Sequence, residues 1–354
     1  MVVTTSRRHA DLFPFANVVE IPFDRHPLVG KVQYKLRCLD LEFGFRNPAF
    51  GKAFAAVVAD FRPDVIHCHF GAIAPFVYVN YRLGNIPFFV SFHGYDASHK
   101  LDSARYRKMI RDLLNQKNVC PIFVSNFMHR YVEEKIGKVN TPNILYYGTD
   151  IACFTRTTRK QQKDPFIFLQ VSSFMPKKGH EYTLRAYQKF LHSTSAVDTH
   201  LVLAGDGPLR SGMMQLAQQL GLDGKVDFPG HVTPAGAKKL MDEAHCFVHH
   251  SITPDNVTDR EGIPNAIMEA MAMELPILST RHAGIPELVE DGVHGYLVDE
   301  RDTGAYATSM AKIIAWDYCP PCREKVTRQF ERRQHARDLM EIYQKACGIH
   351  SCNG

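Results

Sequence analysis

The stretch that decides the fold runs from Glu261 to Val298, EGIPNAIMEAMAMELPILSTRHAGIPELVEDGVHGYLV. A loop carrying Glu261 and Gly262 opens it, and a helix is expected from Pro264, since proline suits a first helical position. Ile267, Ala270, Met271 and Glu274 fall on one stripe at helical spacing, the first three apolar enough to face a core. Pro276 ends that helix, and Ile277-Leu278-Ser279-Thr280 reads as a short buried strand. A turn at Ala283-Gly284, a second helix start at Pro286-Glu287 and a strand at Gly295-Tyr296-Leu297-Val298 complete the block.

The placement of its carboxylates carries chemistry. The first helical turn leaves the amides of Asn265, Ala266 and Ile267 without intrahelical acceptors, so its tip favours an anion such as a diphosphate. Glu261 lies just before the tip, and Glu269 one turn in, on the side of Asn265. Carboxylates accept hydrogen bonds from vicinal hydroxyls, so a pair flanking an anion-binding tip suits a sugar–diphosphate–ribose ligand. An isolated Glu-x7-Glu pair would read as solvated helix charges; the surrounding pattern argues otherwise.

The block resembles the signature of the retaining, nucleotide-sugar-dependent glycosyltransferases of family 4, which have the GT-B fold. That signature runs E-G-[FI]-[GP]-x-[AV]-x-x-E-A-M-A, a buried strand, G-x-x-E-[LIV] and D-G-x-x-G. It is matched here at Glu261, Gly262, Glu269, Ala270, Met271, Ala272, Gly284, Glu287, Asp291, Gly292 and Gly295. The resemblance extends more weakly over almost the whole chain and is closest in flavour to exopolysaccharide (colanic-acid-like) transferases. It implies that Glu261 contacts the donor sugar and Glu269 the ribose. The loop and tip between them, Gly262, Ile263, Pro264, Asn265 and Ala266, would complete the donor site.

Composition fits such a protein. The 354 residues suffice for two domains with sizeable cores, and 45% apolar with 22% charged residues is ordinary globular usage. The longest uncharged stretch, Val65 to Tyr81, contains two His, a Pro and an Asn, and the N-terminus lacks the apolar core of a signal peptide. A soluble cytoplasmic protein is expected, with peripheral contact at the inner membrane as a further expectation. Nine cysteines then read as reduced thiols. Cys319-Pro-Pro-Cys322 lacks a second pair at ligand spacing, so no metal site is expected. A formal net charge of +5 suits anionic substrates and is too weak to imply nucleic acid.

In the first half, Val18 to Phe23 reads as a strand and Lys31 to Asp60 as helical. Pro63 to Gly71 reads as a buried strand and Gly turn, which the family often shows as P-D-[VI]-[IL]-H-x-H. Its His67, Cys68 and His69 alternate faces and favour a core or site-lining role over metal ligation. The strand Ile86 to Phe92 ends at His93-Gly94-Tyr95-Asp96, and ligands of doubly wound sheets bind beyond strand carboxyl ends. The family has a histidine near the reacting sugar here, so His93 takes that role, with Gly71, Tyr95 and Asp96 on the acceptor side. The helix expected over Leu101 to Asn118 carries Arg105, Arg107, Lys108 and Arg111, a solvated or membrane-facing charge run. Ile144 to Asp150 looks like the family's N-G-V-D turn, and residues 155–164 read as a linker.

The second half opens with the strand Phe166 to Val171. The family then has G-R-L-x-x-x-K-G, whose Arg and Lys hold the donor diphosphate. Lys178 matches the lysine, Ser173 stands where the arginine is expected, and Lys177 is a candidate to compensate. Gly205-Asp206-Gly207-Pro208-Leu209 resembles the family's G-x-G-P-L turn. After it, His231 and Val232 would meet the base. His249 and His250 alternate faces and are not a metal pair. A long charged helix is expected over Arg323 to Ala346.

The fold expected is α/β, GT-B: two Rossmann-like doubly wound domains facing a cleft, the first lacking its opening βα unit. Domains are expected at 1–154 (acceptor side) and 155–322 (nucleotide-sugar side), with 323–354 a helix crossing back. The expected function is metal-independent, retaining transfer of a hexosyl group from a nucleotide-diphosphate sugar to a saccharide or lipid-linked saccharide, with no cofactor. His93, Glu261 and Lys178 are the expected catalytic residues. The alternatives are an impaired nucleotide-sugar-binding protein, suggested by Ser173 and the short N-terminus, and a nucleotide-sugar epimerase.

Overall fold

The computed structural model describes residues 1–4, 15–21, 46–81, 84–157, 165–194, 197–255, 258–316 and 320–349. The chain divides into two compact units. One comprises Met1–Phe123, Tyr131–Asn143 and Ile342–Gly354; the other comprises Val124–Arg130 and Ile144–Glu341.

In the first unit, β1 (Val2–Thr4) pairs in parallel with β2 (Val18–Glu20). The expected helix over Lys31 to Asp60 is described from α1 (Pro48–Phe61) onward, and residues 22–45 lie outside the described ones. Asn47 starts α1 by accepting the Phe50 amide, Pro48 follows at the first turn, and Arg62 ends it in the left-handed region at φ 50°. Then come β3 (Ile66–His69), α2 (Ala74–Asn80), β4 (Phe88–Phe92), α3 (Ala104–Leu114), β5 (Val119–Phe123), α4 (Asn126–Ile136), whose residues up to Arg130 belong to the second unit, and β6 (Asn143–Ile144), whose Ile144 belongs to the second unit. The sheet order is β3-β4-β5-β6. All five residues of β4, FFVSF, are buried, as befits a strand covered on both faces.

The second unit holds β7 (Phe166–Val171), α5 (His180–Ser193), β8 (Thr199–Ala204), α6 (Arg210–Gln219), β9 (Val226–Gly230), α7 (Pro234–Glu243) and β10 (Cys246–His249). It continues through α8 (Asn265–Ala272), β11 (Ile277–Thr280), α9 (Ile285–Leu288), β12 (Gly295–Val298), α10 (Thr303–Ile314), α11 (Cys322–Gln329) and α12 (Arg332–Ala346), whose residues from Ile342 belong to the first unit. Its six strands lie in the order β12-β11-β10-β7-β8-β9, all pairs parallel. The chain starts at β7, winds outward to β9, then returns to build β10 on the other side of β7. The order reverses between β7 and β10, and this is where a doubly wound sheet opens a ligand crevice.

The single helix expected over Arg323 to Ala346 is two. It breaks at Phe330-Glu331 because Phe330 is buried and its carbonyl accepts the Thr149 amide, while Arg332 N–H donates to Thr149 O. Backbone groups spent on a bridge to Thr149 cannot also serve a helical ladder.

Candidate functional site

The loops leaving β7 and β10 flank the reversal point, and each delivers one charge to it. Lys178 follows β7 and Glu261 follows the long connection after β10; Lys178 Nζ lies 2.7 Å from Glu261 Oε1. Both side chains are largely buried, at 15% and 10% exposure. Burial alone would raise the Glu261 carboxyl, but Lys178 and Lys177 outweigh it and hold it at about 2. The site therefore presents an ionised carboxylate whose charge the protein itself compensates. Lys177, the candidate stand-in for the missing arginine, is paired with Asp259 at 3.0 Å. Ser173 is exposed on the same loop.

Lys178 is set by a fully buried glutamine. Gln170 Nε2 donates to Lys178 O (2.9 Å) and Ser172 Oγ (3.1 Å), while its Oε1 accepts the Thr183 hydroxyl. Sequence reading passed over Gln170; the signal was a lone polar residue at the end of an otherwise apolar buried strand. Gly179 follows at φ 58°, where an added Cβ would stand 1.8 Å from His250 O. Both the backbone sign and the close approach require glycine there.

The helix tip is open. Asn265 begins α8, one residue later than expected, with Pro264 in the cap position and no side chain capping the amides. One expected donor is corrected: Ile267 N–H is spent on Pro264 O at 3.1 Å, leaving Asn265 and Ala266 as the outward amides. Gly262 and Ile263 are buried and packed on Gly284, whose missing side chain admits Gly262 O to 2.5 Å from where a Cβ would be. Glu269 is half-buried, and its carboxyl is raised by burial with no compensating cation. The two motif glutamates thus differ electrically. His231 and Val232 follow β9, His231 exposed and Val232 half-buried.

Beneath the site, His249 and His250 are buried and lowered by burial, His250 to about 3. His250 stacks on Tyr182 and meets Tyr306 at a tilt; Ser279 and Thr280 hydroxyls hold the carbonyls of His249 and Ser251. His180, also at about 3 through burial, stacks on Phe174. Hydrophobic clusters thus surround a layer of neutral imidazoles.

In the first unit, the rings of His67 and His69 stack at 4.3 Å, on the face of β3 away from buried Cys68. His67 meets Tyr343 Oη (2.5 Å) and Ser91 Oγ (2.7 Å). His69 Nδ1 lies 3.2 Å from His93 Nε2. Burial, then His69, lower His93 to about 4. Asp96, expected on the acceptor side, is structural: it is fully buried and accepts the amides of Gly71 (2.6 Å), His93 (2.9 Å) and Gly94 (3.1 Å). Gly71 is likewise taken up by the fold, since a Cβ there would meet the Phe92 ring at 2.2 Å. Tyr95 is exposed. So is Phe70, at φ 72°, a residue sequence reading did not single out.

Two motif residues hold structure together. Glu287 accepts the first amides of α4, from Asn126 (2.9 Å) and Phe127 (2.7 Å), and the Tyr146 hydroxyl. Asp291 joins Leu297 N–H to Arg281. On α3, Arg107 and Arg111 donate to backbone carbonyls and Lys108 pairs with Asp112. Among the described residues no group of three metal-ligating side chains gathers, no helix is long and apolar enough to cross a membrane, and cysteines are free.

Comparison with known proteins agrees with this architecture. Residues 154–330 match the family model of glycosyl transferases group 1, and residues 6–152 that of glycosyltransferase family 4. A Salmonella typhimurium protein named for colanic acid biosynthesis, the glycosyltransferase WcaL, is 28% identical over 307 residues, 84% of this chain and 75% of its own. A solved glycosyltransferase from Rickettsia africae superposes with a TM-score of 0.75 at 18% identity, covering 97% of this chain and 89% of the other. Anabaena HepE, solved with UDP and glucose, superposes at 0.64 with 20% identity, covering 81% and 80%. Two Rossmann-like parallel sheets, the Glu261–Glu269 block and these matches place the chain in the group 1 glycosyl transferases, with the GT-B fold.

Proposed function

We propose that the second unit binds a nucleoside-diphosphate sugar where the sheet order reverses. The chain would then transfer the hexosyl group, with retention of configuration, to a saccharide or lipid-linked saccharide in polysaccharide assembly. The observation that carries this reading is the ionised, lysine-compensated Glu261 beside an uncapped helix tip. Without donor, Lys178 and Glu261 satisfy each other and stay in place. With donor, the diphosphate lies on Lys178 and the amides of Asn265 and Ala266, and Glu261 accepts hydrogen bonds from sugar hydroxyls. Glu269, one turn along α8, takes the ribose hydroxyls.

Charge that develops on the departing nucleoside diphosphate falls on these same groups, the electrostatic contribution that usually dominates. Among the described residues of the second unit's site, His180, His249 and His250 are buried beneath it, Glu261 is ion-paired, and Glu269 is committed to the ribose in this reading, so no side chain is assigned as general base. A phosphate oxygen of the donor receives the acceptor's proton as the new glycosidic bond forms and the sugar–phosphate bond breaks. In the first unit, Tyr95 is proposed to meet the acceptor. The name of WcaL and the UDP and glucose held by HepE support both the substrate class and the polysaccharide context.

A thermal-shift screen of nucleoside diphosphates and their sugars tests the reading, because a ligand specific for the native state raises the melting temperature. A rise with one base family is expected, and no rise with any would overturn the donor site. Proton NMR of the product is expected to show the donor's anomeric configuration. An isomerised donor sugar would make the chain an epimerase, and binding without turnover an impaired relative.

A further inference from the structure

Glu261 is placed by its backbone as well as by Lys178. Its amide lies 3.2 Å from His282 Nε2, and His282 Nδ1 lies 2.7 Å from Glu300 Oε1. An amide N–H can only donate, so Nε2 is the acceptor; Nδ1 then carries the ring proton and donates it to Glu300. His282 is buried, two residues beyond β11, and Glu300 stands two residues beyond β12. Those strands are paired in register, Thr280 opposite Val298, which brings the two side chains together.

The second oxygen of Glu300 accepts the Thr253 amide at 2.7 Å, and Arg301 donates to Thr253 O. Glu300 therefore ties both ends of the connection between β10 and α8: Thr253 near its start directly, and Glu261 near its end through His282. Burial would raise the Glu300 carboxyl, but the bonds from His282 and Thr253 bring it to about 2, so the carboxylate is a permanent acceptor.

We propose that His282 and Glu300 form a positioning pair for the donor sugar. Glu300 orients the ring of His282 so that its Nε2 lone pair receives the Glu261 amide, and this aims the Glu261 carboxylate at the sugar. The pair rests on the donor-site reading above and refines it. It touches the sugar-binding residue and neither Lys178 nor the α8 tip, so its loss acts on recognition of the sugar and spares the diphosphate. A purely structural role would weaken both alike.

Calorimetric titration with UDP, UDP-glucose, GDP and GDP-mannose separates these outcomes. For whichever sugar nucleotide the wild type binds, His282→Ala and Glu300→Gln are expected to weaken it about tenfold while the matching diphosphate stays within about twofold. His282→Gln, which keeps an acceptor near the position of Nε2, is expected to restore most of the loss. Glu300→Gln, nearly isosteric and at the rim of the network, carries the test if His282→Ala does not fold. Equal weakening of diphosphate and sugar nucleotide, or no weakening of either, would overturn the pair alone. A wild type that binds none of these nor any other nucleoside diphosphate or sugar nucleotide of the thermal-shift screen overturns the donor site and the pair with it.

Discussion

Each unit gathers histidines and one buried carboxylate at the carboxyl ends of parallel strands, yet the two clusters are wired differently. In the first unit, Asp96 spends its oxygens on three backbone amides and fixes the turn that carries His93. In the second, Glu261 gives one oxygen to a lysine, and its own amide is satisfied by His282, so the charge is held without being used up by the fold. Burial and proximity to a strand end therefore do not separate the carboxylate proposed to bind substrate from the one that holds the backbone. The partner does: amides that need an acceptor make it structural, and a lysine that can turn to a ligand's phosphate is proposed to leave it available.

The contrast can be broken by mutation. Asp96→Ala leaves three buried amides without an acceptor and is expected to lower stability by about 4 kcal/mol, read by urea unfolding. Gly179→Ala, which forces a Cβ against His250 O in a left-handed turn, is expected to cost about 3 kcal/mol and to weaken donor binding together with stability. Glu261→Gln is expected to differ in kind from Asp96→Ala: transfer per folded molecule falls about 100-fold, beyond any stability lost by leaving Lys178 without its partner. If Glu261→Gln instead unfolds the protein with wild-type specific activity in the folded fraction, the distinction between the two carboxylates fails.

Acid sharpens the same comparison. His180 and His250 are lowered to about 3 and His93 to about 4, from an ordinary 6.5. The unfolded chain takes up protons near 6.5 that these folded histidines refuse, so stability falls as pH drops below 6.5 toward those values. With His249 lowered as well, the second unit is expected to lose more than the first between pH 7 and pH 5, read by hydrogen exchange of β7 against β4. The smallest effect is at the surface: Lys108→Ala breaks an exposed pair and is expected to change stability by less than about 0.5 kcal/mol.

Several elements were legible because local pattern and tertiary environment agree. The strands Phe166–Val171, Ile277–Thr280 and Gly295–Val298 lie where the sequence puts them, since short, mainly apolar or β-branched runs between turn residues suit a sheet covered on both faces. Glu287 shows the limit. It was legible as part of a motif, while its work, capping α4 from a distant part of the chain, was not.

By itself, then, the sequence determined the α/β alternation and the residues flanking the α8 tip, because these depend on periodicity, turn chemistry and spacing along one segment, and its motif carried the resemblance to the family. Only the tertiary structure decided that Asp96 belongs to the backbone, that Lys178 meets Glu261, that the last helix breaks at Phe330, and that Gln170, His282 and Glu300 stand behind the site. Each of those depends on which group supplies a buried polar atom's partner. That partner comes from strands adjacent in the sheet but far apart in the chain.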